Sequence, residues 1–362
     1  MKVETILFDH QAFEMQKFGG ISRYFYELIN NLPMKTRLSL GLSSNHYLHH
    51  DIIKNHSTFH FHERPYKWLK GPIKRWNRVL SVRALQRGDF SLFHPTYYNP
   101  YFLPYLNGKP YVITVHDMNH ELFPHYFGNA GQMIEWKRKS ILNANRIIAI
   151  SENTKQDIIR LLNVDASKIE VVYHGISQQK IVYRGLRLPE RYLLYVGDRG
   201  GYKNFNRFLQ AFARLSVVHP DLYLVCTGKS FKADEWTNIE QSGLSSRVLL
   251  VKANDSELAQ LYQQATLFVY PSLYEGFGIP LLEAYLNECP VALSAASCFP
   301  EIAGDAGAYF NPEEVESIVQ TIETLLGDVE KRNDLVAKGK ERLSLFTWEE
   351  TARKTADVYK HL

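Results

Sequence analysis

The chain has 362 residues, and at roughly 150 residues per domain this length favours about two domains. Hydrophobic residues make up 45% and charged residues 22% of the chain, which excludes disordered, collagen-like and low-complexity proteins. The net charge of +4 conceals a basic stretch, because residues 64–88 carry eight Lys or Arg side chains and no Asp or Glu. This charge is a local patch, so no nucleic acid is expected as a partner.

Cysteine and histidine usage argues against disulfides and metal. Cys226, Cys289 and Cys298 form neither a disulfide framework nor a CxxC pair, which is typical of a reducing compartment. No apolar run approaches the roughly 18 residues that a membrane span requires. These features predict a cytoplasmic protein. No zinc site is expected either, because no acidic or cysteine partner stands at metal-ligand spacing beside a group of histidines: His46, His49, His50, His56, His60 and His62.

Short β-rich apolar runs alternate along the chain with segments of helical periodicity, the pattern of an α/β fold with parallel sheets. In the first half this pattern predicts a helix over 21–32 and strands at 6–8, 111–116 and 146–151. In the second half it predicts helices over 205–215 and 315–325 and strands at 192–197, 222–228, 248–251, 267–272 and 291–294. Two α/β units in tandem are therefore expected.

A polar stretch without helical periodicity, residues 175–189, separates the two halves and is the candidate hinge. We place the boundary near residue 180, which gives domains over 1–180 and 181–345. The last segment, 346–362, predicts a helix with Trp348, Ala352, Ala356 and Tyr359 on one face. This helix could pack back on the first domain or cap the second, and the sequence does not decide between them.

The most informative segment is YPSLYEGFGIPLLEAY, residues 270–285, where a strand ends and a Gly-rich turn leads into a helix with Pro280 in its first turn. The turn, with Gly276, Phe277, Gly278 and Ile279, directs backbone N–H groups and the positive helix end at one point, which suits oxygen-rich anions or sugar hydroxyls. Glu275 on the turn and Glu283 in the helix stand eight positions apart and can border one cleft. The alternative is a helix-capping turn with solvated glutamates.

The run EGFGIPLLEA followed by PVALSAASCFPEIAGDAG resembles the EX7E signature and downstream block of the retaining glycosyltransferases of family 4. The resemblance continues in FGGISRYFYEL, YVITVHDM, IIAISENTKQDIIRLL, VVYHGIS, YVGDRGGYKNF and ELAQLYQQATLFVYPSLYEGFG. It implies a GT-B fold, in which two Rossmann-like domains face each other across a central cleft. The second domain would hold the nucleotide-sugar and the first domain the acceptor. The resemblance also implies retention of anomeric configuration without a metal, and the sequence contains no Asp-x-Asp.

Departure of a nucleoside diphosphate concentrates negative charge, which cations must stabilise. Lys203 and Arg199, in the loop GDRGGYKN, can supply it. The family commonly carries Gly-Arg with a Lys about five positions on, whereas here Asp198 follows Gly197 and the arginine is displaced to 199. Lys203 is therefore the firmer of the two assignments. The alternative is that both are ordinary surface cations of a loop.

Four further positions in the first half are candidates, and the resemblance assigns roles to Gly19, Gly20 and His116. Gly19 and Gly20 would let the backbone approach the diphosphate closely, unless they are plain turn glycines. His116 ends a predicted strand at its carboxyl edge, where open α/β sheets bind ligands. The matching histidine of the family contacts the donor near the reacting centre, although a lone histidine is often structural. Ser151 is primarily a helix N-cap.

The sequence thus predicts a metal-independent, retaining hexosyltransferase that uses no cofactor and acts by front-face displacement, with a diphosphate oxygen as the base. Glu275 would orient the sugar hydroxyls, Glu283 the ribose and His116 the reacting sugar. The form EGFGIPLLEA resembles bacterial mannosyltransferases, so GDP-mannose is the first choice of donor and a UDP-sugar the second. The acceptor would be a saccharide or a polyprenyl-linked saccharide of a cell-surface polysaccharide such as lipopolysaccharide.

Two other functions were weighed. A Rossmann dehydrogenase requires GxGxxG after a strand, and the sequence has no such run. A non-transferase sugar-nucleotide binder, such as a hydrolysing epimerase, would need the same nucleotide contacts, and fold analogy does not separate it from a transferase.

Two segments have both a structural and a functional interpretation. In the basic stretch, Pro72 could open a helix with Ile73, Trp76, Leu80 and Ala84 on one face. This helix either packs on its own domain or docks the protein on an anionic membrane at the inner face, where a polyprenyl-linked acceptor would lie. The aromatic run 97–105, YYNPYFLPY, either stacks on sugar or lipid or fills the core.

Overall fold

The computed structural model describes residues 4–49, 59–60, 63–177 and 186–362, with the backbone alone at 49, 59–60 and 63–68. The chain divides into two units, which we call the first unit, Met1–Gly175 with Thr347–Leu362, and the second unit, Ile176–Phe346. The boundary predicted near residue 180 falls among residues 178–185, outside the described residues. No helix of the described residues combines the length and the apolar character needed to cross a membrane.

The first unit is built on parallel strands in the orders β2-β1-β5 and β6-β7-β8, which a parallel bridge between Phe93 and Tyr111 joins. Strands β3 and β4 pair separately. Because β1 and β5 pair in parallel, their carboxyl ends are neighbours. The chain leaves β1 for β2 on one side of β1 and returns to β5 on the other side. The strands are β1 (Thr5–Phe8), β2 (Lys35–Leu38), β3 (Leu42–Ser43), β4 (Phe59–His60), β5 (Leu92–His94), β6 (Val112–Val115), β7 (Arg146–Ala149) and β8 (Ile169–Val171).

Helices connect these strands, and their apolar faces pack against the sheet. In α2 the buried side chains Tyr24, Phe25, Leu28 and Ile29 follow the predicted helical spacing. The helices are α1 (Gln11–Met15), α2 (Gly20–Asn31), α3 (Glu63–Arg87), α4 (Asn119–Leu122), α5 (Ala130–Leu142) and α6 (Glu152–Leu162).

Helix α3 differs from the prediction in its start and in its buried face. It begins at Glu63, so Pro72 lies inside it. Pro72 is exposed, where water can serve the carbonyl group that the proline leaves without a partner. The buried residues are Ile73, Asn77, Ser81 and Leu85, whereas Trp76 is 49% exposed. The polar Asn77 and Ser81 turn inward because they hydrogen-bond to the ends of neighbouring strands.

The second unit contains one parallel sheet in the order β11-β10-β9-β12-β13-β14. The strand order reverses between β9 and β12, and the carboxyl ends at such a switch point form the usual ligand crevice of an α/β sheet. The strands are β9 (Tyr192–Val196), β10 (Tyr223–Thr227), β11 (Val248–Val251), β12 (Leu267–Tyr270), β13 (Val291–Ser294) and β14 (Ala308–Phe310). The helices are α7 (Phe205–Val218), α8 (Ala233–Gln241), α9 (Asp255–Gln264), α10 (Ile279–Leu286), α11 (Phe299–Ala303), α12 (Val315–Gly327) and α13 (Val329–Leu343).

The last helix, α14 (Trp348–Lys360), belongs to the first unit. Its apolar face, with Trp348, Ala352, Ala356 and Tyr359, lies in the same core cluster as α2. The hydroxyl group of Tyr359 lies 2.6 Å from Nδ1 of His94, at the end of β5. The structure therefore answers the question that the sequence left open about this helix.

Candidate active site

The Gly-rich turn follows β12 in the second unit and ends where α10 begins. Gly278 caps α10 with a left-handed φ of 89°. A Cβ at this position would lie 3.2 Å from the ring of Phe299, so glycine is needed both for the dihedral angle and for the space. Pro280 occupies the first turn of α10, as predicted.

Lys203 and Glu275 form an ion pair at the switch point of the second unit. Lys203 follows β9, Glu275 follows β12, and the Lys203 Nζ lies 2.7 Å and 2.9 Å from the two carboxylate oxygens. The side chain of Lys203 is 23% exposed and that of Glu275 is 11% exposed. The pair is therefore largely shielded from water, where a charge interaction is stronger than on an open surface.

Asn204 and Ser297 hold this pair in place, and the sequence interpretation missed both. The side-chain amide of Asn204 donates to the carbonyl of Pro271 at 3.0 Å, which ties the loop after β9 to the loop after β12. Ser297, in a left-handed conformation with φ of 56°, donates from Oγ to the carbonyl of Glu275 at 2.6 Å and accepts from its N–H at 3.1 Å. Asn204 offered a signal, since Asn tolerates left-handed backbone, but Ser297 offered none.

Glu283 lies in α10 and receives a hydrogen bond from a buried tyrosine. The hydroxyl group of Tyr262, in α9, donates to Glu283 Oε2 at 3.2 Å. Tyr262 is fully buried, and burial raises the pKa of its hydroxyl well above the ordinary value of 10.0. Tyr262 therefore stays protonated and acts as a donor that orients the Glu283 carboxylate.

Arg199, which the sequence predicts beside the leaving diphosphate, is held by the loops around it. Its Nε donates to Glu235 at 3.2 Å, and its Nη2 donates to the carbonyl groups of Lys229 and Ser230. The guanidinium also lies 4.6 Å from the ring centre of Phe231. Arg199 is thus a buried cation of the loop structure, and Lys203 is the cation that stands beside the Gly-rich turn. The Nη1 atom of Arg199 is buried and has no hydrogen-bond partner among the described residues, so the diphosphate role of Arg199 stays a prediction.

His116 lies directly after β6 in the first unit and is buried among aromatic rings. Its ring makes edge contacts with Tyr24 at 5.1 Å between centroids. Burial lowers its pKa to about 4, so the imidazole is neutral near pH 7. Its Nε2 is buried and has no hydrogen-bond partner among the described residues, as a group that awaits a ligand would be.

Lys137, which the sequence interpretation missed, fixes the segment next to His116. It is fully buried, and its Nζ donates to the carbonyl and Oδ1 of Asp117, at 2.8 Å and 3.1 Å, and to Glu121 at 3.1 Å. The nearby hydroxyl group of Tyr98 accepts the backbone N–H of His116 at 2.9 Å. These contacts fix the backbone N–H of His116 and the carboxylate of the next residue, Asp117. An isolated Lys in a helical pattern gives no signal of such a role.

The remaining predicted residues of the first unit lie as follows. Gly20 opens α2, with Gly19 as its N-cap, and a Cβ on Gly20 would meet no atom within 4 Å. Ser151 is the N-cap of α6, where its Oγ accepts from the Thr154 N–H at 3.1 Å. In the aromatic run, Tyr98, Tyr101 and Phe102 are buried in the core, which favours the packing interpretation.

Metal ligands do not cluster in the described part of the chain, where no three His, Cys, Asp or Glu side chains come together. Of the histidines between residues 46 and 62, His50, His56 and His62 lie outside that part, and His49 and His60 are described by their backbone alone. The ring of His46 packs against Phe18 in a tilted arrangement, at 4.6 Å between centroids.

Comparison with known proteins identifies the class. The family models Glycosyltransferase Family 4 and Glycosyl transferases group 1 match residues 18–180 and 179–342. Over 99% of both chains, the structure is similar to sucrose-phosphate synthase from Thermosynechococcus elongatus, with a TM-score of 0.75 and 20% identity. The protein is a glycosyltransferase, and the predicted GT-B fold is confirmed.

Relatives in sequence narrow this class to a family. The chain is 30% identical to O-antigen chain mannosyltransferase B of Escherichia coli, over 95% of this chain and 96% of the relative. It is 28% identical to the GDP-mannose:cellobiosyl-diphosphopolyprenol alpha-mannosyltransferase of Xanthomonas campestris, over 61% of this chain and 59% of the relative. The chain belongs to glycosyltransferase family 4, as the motif resemblance indicated.

Proposed function

We propose that the protein transfers a hexose from a nucleotide diphosphate sugar to a saccharide or lipid-linked saccharide in cell-surface polysaccharide synthesis. GDP-mannose is the first choice of donor, because the two sequence relatives are named as mannosyltransferases and one is named for GDP-mannose. A UDP-sugar is the second choice. The observation that carries the proposal is the Lys203–Glu275 pair beside the Gly-rich turn.

Lys203 would stabilise the departing diphosphate. A diphosphate oxygen that approaches the turn would share the Lys203 ammonium with Glu275, and the backbone N–H groups of 276–279 would add hydrogen bonds. The acceptor would attack the same face of the sugar, with a diphosphate oxygen as its base, so that the anomeric configuration is retained. The role of Gly19 and Gly20 as further contacts of the diphosphate stays a prediction from the resemblance.

Glu275, Glu283 and His116 would bind the donor, and none of them would take the proton of the acceptor hydroxyl group. Once Lys203 turns to the diphosphate, the Glu275 carboxylate can accept from sugar hydroxyls, and Glu283 can accept from the ribose. The neutral His116 imidazole can hydrogen-bond the reacting sugar through Nε2 without adding positive charge beside an oxocarbenium-like transition state. The arrangement favours orientation and charge stabilisation as the sources of catalysis.

Catalysis without a divalent ion follows from the same arrangement, since a protein cation and amides neutralise the diphosphate, and no cofactor is invoked. We expect turnover to be unchanged in excess chelator. Activity that disappears with chelator and returns with magnesium or manganese would contradict this part of the proposal.

The donor is tested by a thermal-shift panel of GDP- and UDP-sugars, because a ligand of the native state raises the melting temperature by mass action. We expect the largest shift with GDP-mannose, and release of GDP that depends on a saccharide acceptor. A larger shift with a UDP-sugar would replace the donor. Release of nucleotide at the same rate with and without acceptor would indicate a hydrolase instead.

Docking on an anionic membrane is the proposed role of the outer face of α3. Leu69, Trp76 and Val79 share one side of this helix and are exposed, and the exposed Arg75 flanks them. Exposed apolar and basic side chains on one helix suit the interface of an anionic bilayer. We expect co-sedimentation with anionic but not neutral vesicles, weakened by salt and by W76S/V79S. Equal binding to both vesicle types would return α3 to a structural role.

A further inference from the structure

The first unit has its own switch point, where the carboxyl ends of β1 and β5 meet. Asp9, directly after β1, accepts from the backbone N–H of Thr96 at 2.8 Å and from its hydroxyl at 2.7 Å. It also accepts from the hydroxyl of Tyr101 at 2.9 Å. These bonds make one fixed surface from the chain segments that follow the two strands. Ligands of open α/β sheets bind at such a place.

Helix α3 runs along this surface and is anchored to it. Ser81 Oγ lies 2.7 Å from Nδ1 of His10, the residue after Asp9. Asn77 donates to Glu14 Oε1 at 2.6 Å and accepts from the backbone N–H of Leu42 at 3.0 Å. Two buried polar residues of α3 therefore fix the helix against the carboxyl end of β1.

Lys74 and Arg78 stand on the side of α3 that borders this surface. The Arg78 guanidinium lies 5.3 Å from the ring centre of Tyr101, and the same ring lies 5.4 Å from the His10 ring. Lys74 is one helical turn before Arg78, so the two side chains are neighbours. Within the described part of the chain neither forms a hydrogen bond or an ion pair, unlike Lys137, Arg199 and Lys203.

The charges of Lys74 and Arg78 reach the two titratable groups of this surface. Burial lowers the pKa of His10, and Arg78 and Lys74 lower it further, against the opposite effect of Asp9. Burial raises the pKa of Glu14 to about 7, against the hydrogen bond from Asn77 and the charge of Lys74. The surface thus carries two cations beside a histidine that is neutral at neutral pH.

We propose that Lys74 and Arg78 bind a phosphate or diphosphate ester of the acceptor substrate. This inference rests on the proposed function, because it assigns the acceptor to the first unit. Two cations one helical turn apart match the spacing of a diphosphate, and charge-assisted hydrogen bonds to phosphate are the strong ones. The His10 side of the same surface would then lie next to the first sugar of the acceptor.

The test measures the binding of geranyl diphosphate, a short and soluble isoprenyl diphosphate, to the full chain by calorimetry. The variant K74S/R78S removes the proposed site. The matched control R83S/R87S removes two exposed cations with the same spacing from the same helix. We expect K74S/R78S to weaken binding by about tenfold or more, as the loss of two charged contacts requires, and R83S/R87S to stay within twofold.

Repeating the titration with K203A separates this inference from the proposed function. Binding that depends on Lys203 and is indifferent to K74S/R78S would place the anion at the donor site and overturn the inference, while the proposed function stands. Binding that persists in K203A and is lost in K74S/R78S supports the inference, even if no nucleotide-sugar stabilises the protein. Equal losses in K74S/R78S and R83S/R87S would overturn it by showing a general charge effect.

A vesicle measurement distinguishes an acceptor phosphate from lipid headgroups. We expect K74S/R78S to keep its co-sedimentation with anionic vesicles within twofold of the unaltered protein. If K74S/R78S loses vesicle binding but retains geranyl diphosphate binding, Lys74 and Arg78 bind headgroups and the inference is wrong.

Discussion

The switch points of the two units are built from parallel strands in the same way but carry opposite charge arrangements. In the second unit, an ion pair between Lys203 and Glu275 stands where β9 and β12 end. In the first unit, the carboxylate of Asp9 accepts hydrogen bonds from the segment that follows β5. His116, after β6, is neutral and buried. The charged side chains therefore lie at the centre of the switch point in the second unit and at the edge of the switch point in the first unit.

This difference matches the two halves of a glycosyl transfer. A leaving diphosphate needs a cation that is available and partly shielded, which Lys203 would provide in the proposed function. Sugar hydroxyls can also hydrogen-bond to neutral groups, such as buried histidines and tyrosines. The sheet topology fixes where the ligand lies in each unit, whereas the few residues after two strands fix its chemistry.

The largest effects are expected from the buried cations that support each unit. Lys137→Met leaves the carboxylates of Asp117 and Glu121 without their partner and should lower the free energy of unfolding of the first unit by about 3–5 kcal/mol. Urea unfolding followed by tryptophan fluorescence in a W236F background measures it, because the other four tryptophans belong to the first unit.

Two controls accompany that measurement. Lys139→Met, which removes an exposed pair with Glu135, should cost less than about 1 kcal/mol. Arg199→Met, which breaks the buried pair of the second unit, should leave this transition in place. A midpoint unchanged in K137M, or shifted equally by R199M, would show that the two buried cations do not act on separate units.

The next largest effect, on turnover, should distinguish Lys203 in the loop after β9 from Lys229 in the loop after β10. Lys203→Ala should reduce turnover by about 10²–10³-fold, since it removes stabilisation of about 2.7–4 kcal/mol from the leaving diphosphate. Lys229→Ala, which removes an exposed lysine paired with Asp198, should stay within twofold. Nucleotide release measures the turnover. A turnover of K203A within twofold of that of the unaltered enzyme would show that Lys203 does not belong to the site.

The central strands and the amphipathic helices could be predicted because their patterns are local. Strands β9, β10, β12 and β13 are apolar runs that are largely buried on both faces, β11 is an apolar run that is half-buried, and α2, α7 and α12 carry helical stripes. Strand β2, with the sequence KTRL, was not predicted, because its pairing depends on β1 and its own residues are largely polar. A local apolar pattern therefore misses a strand whose own residues are largely polar.

The candidate site divides in the same way. Lys203 and Glu275 were each predicted as site residues from a local motif that follows a predicted strand, although their contact with each other was not predicted. The burial of Arg199 depends on Glu235 and on Phe231, more than 30 residues further along the chain, and no local pattern contains that information. The same holds for Lys137 and for the left-handed Ser297, whose roles come from segments that meet only in the folded chain.

Acid should destabilise the first unit through its buried histidines. Burial lowers the pKa of His94 to about 3 and that of His116 to about 4, from 6.5, and lowers that of His174 well below 6.5. Below pH 6.5 the unfolded chain therefore binds more protons than the folded one. The free energy of unfolding should fall by up to about 1.4 kcal/mol per pH unit for each histidine as the pH drops toward 4.

Glu14 has the opposite effect on the free energy of unfolding. Because its pKa is raised from 4.5 to about 7, the folded chain binds the extra proton between pH 7 and 4.5, which raises the free energy of unfolding as the pH falls. His174→Phe should remove the share of one histidine from the slope, measured by urea unfolding in the W236F background at several pH values. An identical slope in H174F would mean that His174 is protonated in the folded protein.

The smallest effect tests how Glu283 is oriented in the second unit. Tyr262→Phe removes the hydroxyl that donates to Glu283 Oε2, a loss of about 1 kcal/mol that should raise the KM for the donor several-fold and leave kcat nearly unchanged. Tyr285→Phe is the matched control, because it removes an equally buried hydroxyl that donates to the carbonyl of Ala306 and makes no contact with the Glu283 carboxylate. If both variants raised KM alike, the effect would reflect packing of the helices. If Y262F lowered kcat instead, Glu283 would act in the transition state rather than in holding the ribose.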